Sequence, residues 1–115
     1  MLFTLEDERD DDLLVLKYPY FEQAEPMIWD VGGTYVETDV VFEYNLSHEW
    51  NHGLGEIITA LFDAGLAITA FTEHDSIPWV AFPGKMEPIG GGEYRLTRDP
   101  SRLPHSYTLQ AVKQS

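Results

Sequence analysis

The sequence predicts an α/β fold that has one main helix and mostly antiparallel strands. Side chains alternate between apolar and polar over residues 40–50, which is the period-two pattern of a strand with one buried face. Apolar residues then recur at helical spacing over residues 54–62. Three glycines at 90–92 separate two short extended runs, as in a β-hairpin.

The N-terminal part of the chain is predicted to hold little regular structure. Residues 1–12 include an acidic block at 6–12, which indicates a solvated loop or a frayed start. Residues 13–18 are apolar and predict a short strand. Two prolines and two glycines within residues 19–34 favour irregular chain there.

The C-terminal part is predicted to contain the main helix and several strands. The helix is expected from Asn51 or His52 to Ala64, with Gly65 as its stop signal. The expected strands are residues 67–73, the hairpin arms 85–89 and 93–96, and a final strand at 106–112. The chain thus divides into an acidic segment (1–12), a region with strands (13–50), and a helix followed by C-terminal strands (51–115).

The composition fits a single domain and excludes some classes of function. The 115 residues are 43% hydrophobic, which suffices for one core. A net charge of −13 repels phosphate backbones, so we expect no nucleic-acid partner. There is no cysteine, and no run of about 18 apolar residues exists that would cross a membrane. We therefore expect a cytoplasmic protein that has neither disulfides nor a membrane anchor.

His48, Glu49 and His52 spell H-E-x-x-H, the zinc-peptidase pattern. On one continuous helix, the two histidines would bind zinc and the glutamate would act as general base. The alternation over residues 40–50 instead predicts extended chain, in which His48 and His52 lie about 13 Å apart. That distance is too long for a shared zinc ion. Because residues 73–75 offer a third ligand, a zinc peptidase remains an alternative.

Three stretches resemble the C-terminal part of class I S-adenosylmethionine-dependent methyltransferases. These are EWNHGLGEIITALFDAGL at 49–66, a following strand that ends in EHD at 73–75, and RLPHSYTLQAV at 102–112. The resemblance covers most of the chain from about residue 13. It implies a Rossmann-like, doubly wound sheet of seven strands, of which the last is antiparallel.

The resemblance also assigns a place to each part of the chain. Residues 51–64 correspond to the helix before strand six, 67–73 to strand six, and 106–112 to strand seven. Residues 13–50 correspond to an insertion that covers the active site and contacts the methyl acceptor. The family's glycine-rich cofactor loop has no match here. S-adenosylmethionine is therefore the cofactor of the parent family, and we do not expect it to bind this chain alone.

By this resemblance, candidate site residues lie near the strand ends and the start of the helix. The predicted catalytic bases are His52 and His74, and the predicted substrate-binding residues are Tyr18, Tyr20, Tyr35, Trp50, Asn51 and Trp79. The expected partner is a small-molecule acceptor. Ordinary core packing of the aromatic residues is the competing interpretation. A non-catalytic interaction domain, or a homodimer formed through open strand edges, is the alternative function.

Overall fold

Six strands and one α-helix lie in the part of the chain that the computed structural model describes, residues 1–30 and 38–115. One 3₁₀-helix precedes them, and a second lies between the fifth and sixth strands. In chain order the elements are a 3₁₀-helix Leu2–Thr4, β1 Met27–Asp30, β2 Leu46–Glu49, α1 Leu54–Asp63, β3 Leu66–His74, β4 Met86–Gly90, β5 Glu93–Leu96, a 3₁₀-helix Pro100–Arg102, and β6 Ser106–Lys113.

The strands form three separate antiparallel pairs, β1–β2, β3–β6 and β4–β5. The β3–β6 pair is the longest, and its register runs from Leu66 opposite Lys113 to His74 opposite Ser106. The prediction of mixed α and β structure with antiparallel strands and one helix is confirmed. Since each described strand has one partner, each pair has open edges.

The helix α1 ends at Asp63, one residue before the predicted end at Ala64, and begins later than predicted. Gly65 follows it with φ of 74°, a left-handed conformation that glycine adopts without strain. The Lys113 side chain donates to the carbonyl of Ala64, which places a positive charge at the negative end of the helix. The predicted start at Asn51 or His52 is wrong. Gly53 is extended and serves as the N-cap, so the helix begins at Leu54.

The buried core joins the N-terminal residues to the hairpin region. Its buried apolar side chains are Leu2, Leu5, Ile77, Phe82 and Leu96. The acidic block at 6–12 is a loop with mostly exposed side chains, as predicted. The residues before it are not frayed, however, because the 3₁₀-helix turns Leu2 and Leu5 into the core.

Residues 13–18 do not form the predicted strand. Leu16 makes one isolated bridge to Leu5, and the amides of Lys17 and Tyr18 both donate to the carbonyl of Thr4. Two donors converging on one carbonyl interrupt the regular ladder that a strand needs. The segment therefore lies beside the N-terminal residues as irregular chain.

The predicted strand over residues 40–50 is shorter than the alternation suggests. Only Leu46–Glu49 is a strand, and it pairs with Met27–Asp30 through four residues of each. The partner β1 lies within 19–34, which the sequence predicts to be irregular, so that prediction is wrong at these positions. Among the described residues, β1 supplies the only ladder for this stretch, and its four residues set the length of β2.

The alternating side chains of residues 40–50 are exposed rather than half-buried. Val40 is 63% exposed, Leu46 64% and Tyr44 95%. The period-two pattern predicts a buried face, but no described element covers this one. The sequence thus contains an apolar face that the described chain does not bury.

The C-terminal strands follow the sequence closely. The hairpin β4–β5 turns at Gly90, Gly91 and Gly92, whose φ angles of 95°, 65° and 78° are accessible to glycine. The expected strands at 67–73 and 106–112 are β3 and β6. Within residues 1–30 and 38–115, no helix has both the length and the apolar character that crossing a membrane requires.

Candidate functional site

A cavity of about 300 Å³ opens beside the start of α1. It is lined mainly by apolar and aromatic side chains from residues 1–3, the first turns of α1 and residues 104–107. Three predicted site residues line it together, Tyr20, His52 and Trp79. Its size lies at the lower end of the range for small-molecule sites.

Two hydrogen bonds hold the chain near Tyr20 against the start of the helix. The Tyr20 hydroxyl accepts from the backbone N–H of Leu54 at 2.8 Å, and the Asn51 side chain donates to the carbonyl of Pro19 at 2.7 Å. A Cβ atom on Gly53 would lie 3.3 Å from the Tyr20 ring, so a side chain at 53 would crowd it. Tyr20 therefore satisfies one of the unpaired N–H groups at the helix start.

His52 lies between two carboxylates at the mouth of this cavity. Its Nδ1 is 3.7 Å from Glu22 Oε2 and 3.5 Å from Glu56 Oε1. The like charge of the neighbouring Glu56 carboxylate raises the pKa of Glu22, and so does the hydrogen bond that protonated Glu22 can donate to that carboxylate. All three side chains are exposed. The sequence places His52 and Glu56 four residues apart, but nothing in it indicates that Glu22 joins them.

Trp79 forms a wall shared by two cavities. It packs partly against the core and stacks on Phe3, with ring centroids 6.1 Å apart and an interplanar angle of 20°. On its other side is a cavity of about 390 Å³, where Tyr18 meets Trp29 edge to face at 5.2 Å. Tyr18 and Tyr20 thus line different cavities, although the sequence groups them.

The remaining predicted residues lie apart from the cavity beside α1. His74 Nε2 is 2.8 Å from Thr108 Oγ1 across the β3–β6 pair, and His74 does not line that cavity. Trp50 and Asn51 line a more open depression of about 320 Å³, which they share with His52. Tyr35 lies outside the described residues.

The H-E-x-x-H pattern does not lie on a helix. His48 and Glu49 belong to β2, and α1 begins two residues after His52. The two histidines are therefore not one helical turn apart, which the zinc-peptidase geometry requires. His48 is opposite Ile28 in the β1–β2 ladder.

Two residues that the sequence does not single out complete this region. His105 is 5% exposed; its Nε2 accepts from the backbone N–H of Leu96 at 3.2 Å, and its Nδ1 is 3.1 Å from the carbonyl of Leu103. These partners assign the proton to Nδ1 and make His105 a neutral structural link. Tyr107 lies opposite Glu73 in the β3–β6 register, and both side chains line the cavity.

The cavity as a whole combines aromatic walls with a small polar rim. Phe3, Tyr20, Trp79 and Tyr107 provide the aromatic surface, and His52 provides an imidazole at the edge. Such a site suits a small planar ligand that has one polar group. Comparison with models of protein families, with curated proteins and with solved structures finds no match to this chain.

Proposed function

We propose that this chain is the C-terminal, acceptor-covering portion of an S-adenosylmethionine-dependent methyltransferase that acts on a small molecule. The observation that carries the proposal is the cavity beside α1, which brings together Tyr20, His52 and Trp79. The resemblance to methyltransferases assigns acceptor-binding or catalytic roles to all three. A Rossmann-like origin and a cytoplasmic location belong to the same proposal.

The order of the elements supports this proposal. The resemblance implies a helix, then strand six, then an antiparallel strand seven. In the structure α1, β3 and β6 occur in that order along the chain, and β6 pairs antiparallel with β3. The open edges of this pair are also what a piece of a larger sheet would have. The cofactor half would lie in a different part of the parent enzyme, since no glycine-rich cofactor loop is present here.

The chemistry needs alignment and a base. The acceptor atom attacks the methyl carbon of the sulfonium, the carbon–sulfur bond breaks, and S-adenosylhomocysteine leaves with the bonding electron pair. The acceptor's proton passes to the base. Of the two predicted bases, geometry favours His52, because it lines the cavity, whereas His74 pairs with Thr108 elsewhere.

The test is a methyl-transfer assay on the native protein. An antibody against residues 49–66 isolates it from its source cells, its mass is measured, and it is incubated with methyl-tritiated S-adenosylmethionine and small aromatic acceptors. We expect the isolated native protein to bind the cofactor and to transfer the labelled methyl group to an acceptor. His52→Ala should lower kcat by about 100-fold or more at neutral pH, and the matched His74→Ala should not. A native protein that neither binds the cofactor nor transfers label would overturn the proposal.

A second candidate, a non-catalytic interaction domain, is favoured by the exposed apolar face at residues 40–46. Val40, Tyr44 and Leu46 are each more than 60% exposed, and open strand edges are available for pairing. A homodimer would cover both features. Light scattering separates the two functions, since a concentration-dependent dimer without methyl transfer supports interaction, and a monomer that transfers methyl groups contradicts it.

A further inference from the structure

We propose that Glu22, His52 and Glu56 form a binding site for a divalent transition-metal cation, with zinc as the best fit. The group brings together one imidazole and two carboxylates whose ligand atoms all lie within 4.8 Å of one another. This site is distinct from the H-E-x-x-H pattern, with which it shares only His52. It does not depend on the proposed methyltransferase function, and it competes with that function for His52, because an imidazole bound to a metal through Nδ1 has no lone pair left to act as a base.

The distances agree with a tetrahedral centre. Ligand atoms about 2.0 to 2.1 Å from a tetrahedral zinc ion lie about 3.3 Å from each other. His52 Nδ1 lies 3.5 Å from Glu56 Oε1 and 3.7 Å from Glu22 Oε2. Small rotations of the two exposed glutamate side chains would bring all three atoms onto one ion. Water or a ligand in the cavity would complete the coordination.

The backbone holds the ligands in place before any ion binds. Glu56 lies in the first turn of α1, His52 lies two residues before the helix, and Glu22 comes from a segment thirty residues before His52. The hydrogen bonds Tyr20–Leu54 and Asn51–Pro19 pin that segment to the helix start. The loop carrying Glu22 is therefore held beside the helix by contacts that do not involve the ligands themselves.

The electrostatics also favour a cation. Glu22 and Glu56 place two carboxylates within 4.8 Å of each other, and a bound cation would relieve the repulsion between them. The chain's net charge of −13 attracts cations in general. The imidazole selects among them, because nitrogen ligands suit zinc and related metals, whereas magnesium and calcium prefer oxygen.

The test is metal titration of the full chain. Calorimetry with zinc chloride, in salt that screens general attraction, measures affinity and stoichiometry, and cobalt(II) reports a tetrahedral site through its visible absorption. We expect one equivalent of zinc per chain. His52→Asn, Glu22→Gln and Glu56→Gln should each weaken binding by at least about tenfold. Thermal unfolding without metal checks that these exposed substitutions leave the fold intact.

His48→Asn is the matched control, since it removes an exposed histidine of the same motif from β2. It should leave zinc affinity unchanged. The proposal is overturned if the wild-type chain binds no stoichiometric zinc, if His52→Asn binds as tightly as the wild type, or if His48→Asn abolishes binding. Equal affinity for magnesium and zinc would also overturn it, because that would indicate only general attraction to an acidic surface.

Discussion

The hydroxyl of Tyr20 accepts a hydrogen bond from the backbone N–H of Leu54 at 2.8 Å, across thirty-four residues of chain. The N-cap residue, Gly53, has no side chain that could accept this bond. Tyr20 thus performs at long range what a serine or aspartate cap performs locally. The same contact determines where the helix starts and how the cavity wall lies.

Removing this hydroxyl should destabilise the protein. Tyr20→Phe keeps the ring in the cavity wall and leaves the Leu54 N–H without its acceptor, so we expect a loss of about 1 kcal/mol in the free energy of unfolding. Urea denaturation measures it. Tyr44→Phe is the matched control, because Tyr44 is 95% exposed and its hydroxyl should contribute little. Equal stability of the two variants would contradict a capping role for Tyr20.

This long-range cap explains why the sequence predicts the end of α1 better than its start. The end depends on Gly65, which is a local signal. The start depends on Tyr20 and on extended backbone at Gly53, and no pattern within residues 51–55 reveals a partner so far away. Similarly, β1 is a strand because it pairs with β2, whereas the prolines and glycines of residues 19–34 favour irregular chain around it.

The sequence also predicts the candidate site only in part. The resemblance takes Tyr20 from the insertion, His52 from the helix start and Trp79 from the loop after strand six, and the structure brings these three residues to one cavity. His74 is displaced because the β3–β6 register directs it to Thr108. The sequence does not single out Glu22, because exposed glutamates are common and only the folded chain shows that this one lies beside His52.

His105 should be essential to stability although the sequence gives it no special role. His105→Ala leaves the Leu96 N–H and the Leu103 carbonyl without their buried partner and opens a void, so we expect a loss of about 2 to 4 kcal/mol. Chemical denaturation measures this loss. The control His48→Ala removes an exposed histidine and should change the free energy of unfolding by less than about 0.5 kcal/mol.

The stacked pair Phe71 and Tyr107 should couple β3 to β6 beside the cavity. Their ring centroids lie 5.4 Å apart at an interplanar angle of 24°, in a diagonal cross-strand arrangement. A double-mutant cycle with alanine should give a coupling of about 0.5 to 1 kcal/mol. A cycle of Thr72→Ala with Tyr107→Ala is the control, because Thr72 lies on the opposite face of β3. Coupling of the same size there would contradict a direct ring contact.

The raised pKa of Glu22 makes a prediction about pH. Because the folded state favours the protonated carboxyl, this group stabilises the fold at a pH below the ordinary glutamate pKa. That stabilisation is lost as the pH rises through the raised value. Glu56→Gln removes the charge that causes the shift, so the pKa of Glu22 should fall toward its ordinary value. Carbon-detected NMR titration of the Glu22 carboxyl measures this change.

The same substitution separates this carboxyl pair from other acidic groups of the chain. In Glu56→Gln, stability should decline less as the pH rises through the former pKa of Glu22, whereas Glu49→Gln should retain the wild-type profile. Zinc added to the wild-type chain should act like Glu56→Gln by holding Glu22 ionised at lower pH. If the Glu22 titration is the same in the wild type and in Glu56→Gln, the two carboxyls do not interact in solution, and the geometry of the metal site loses its electrostatic support.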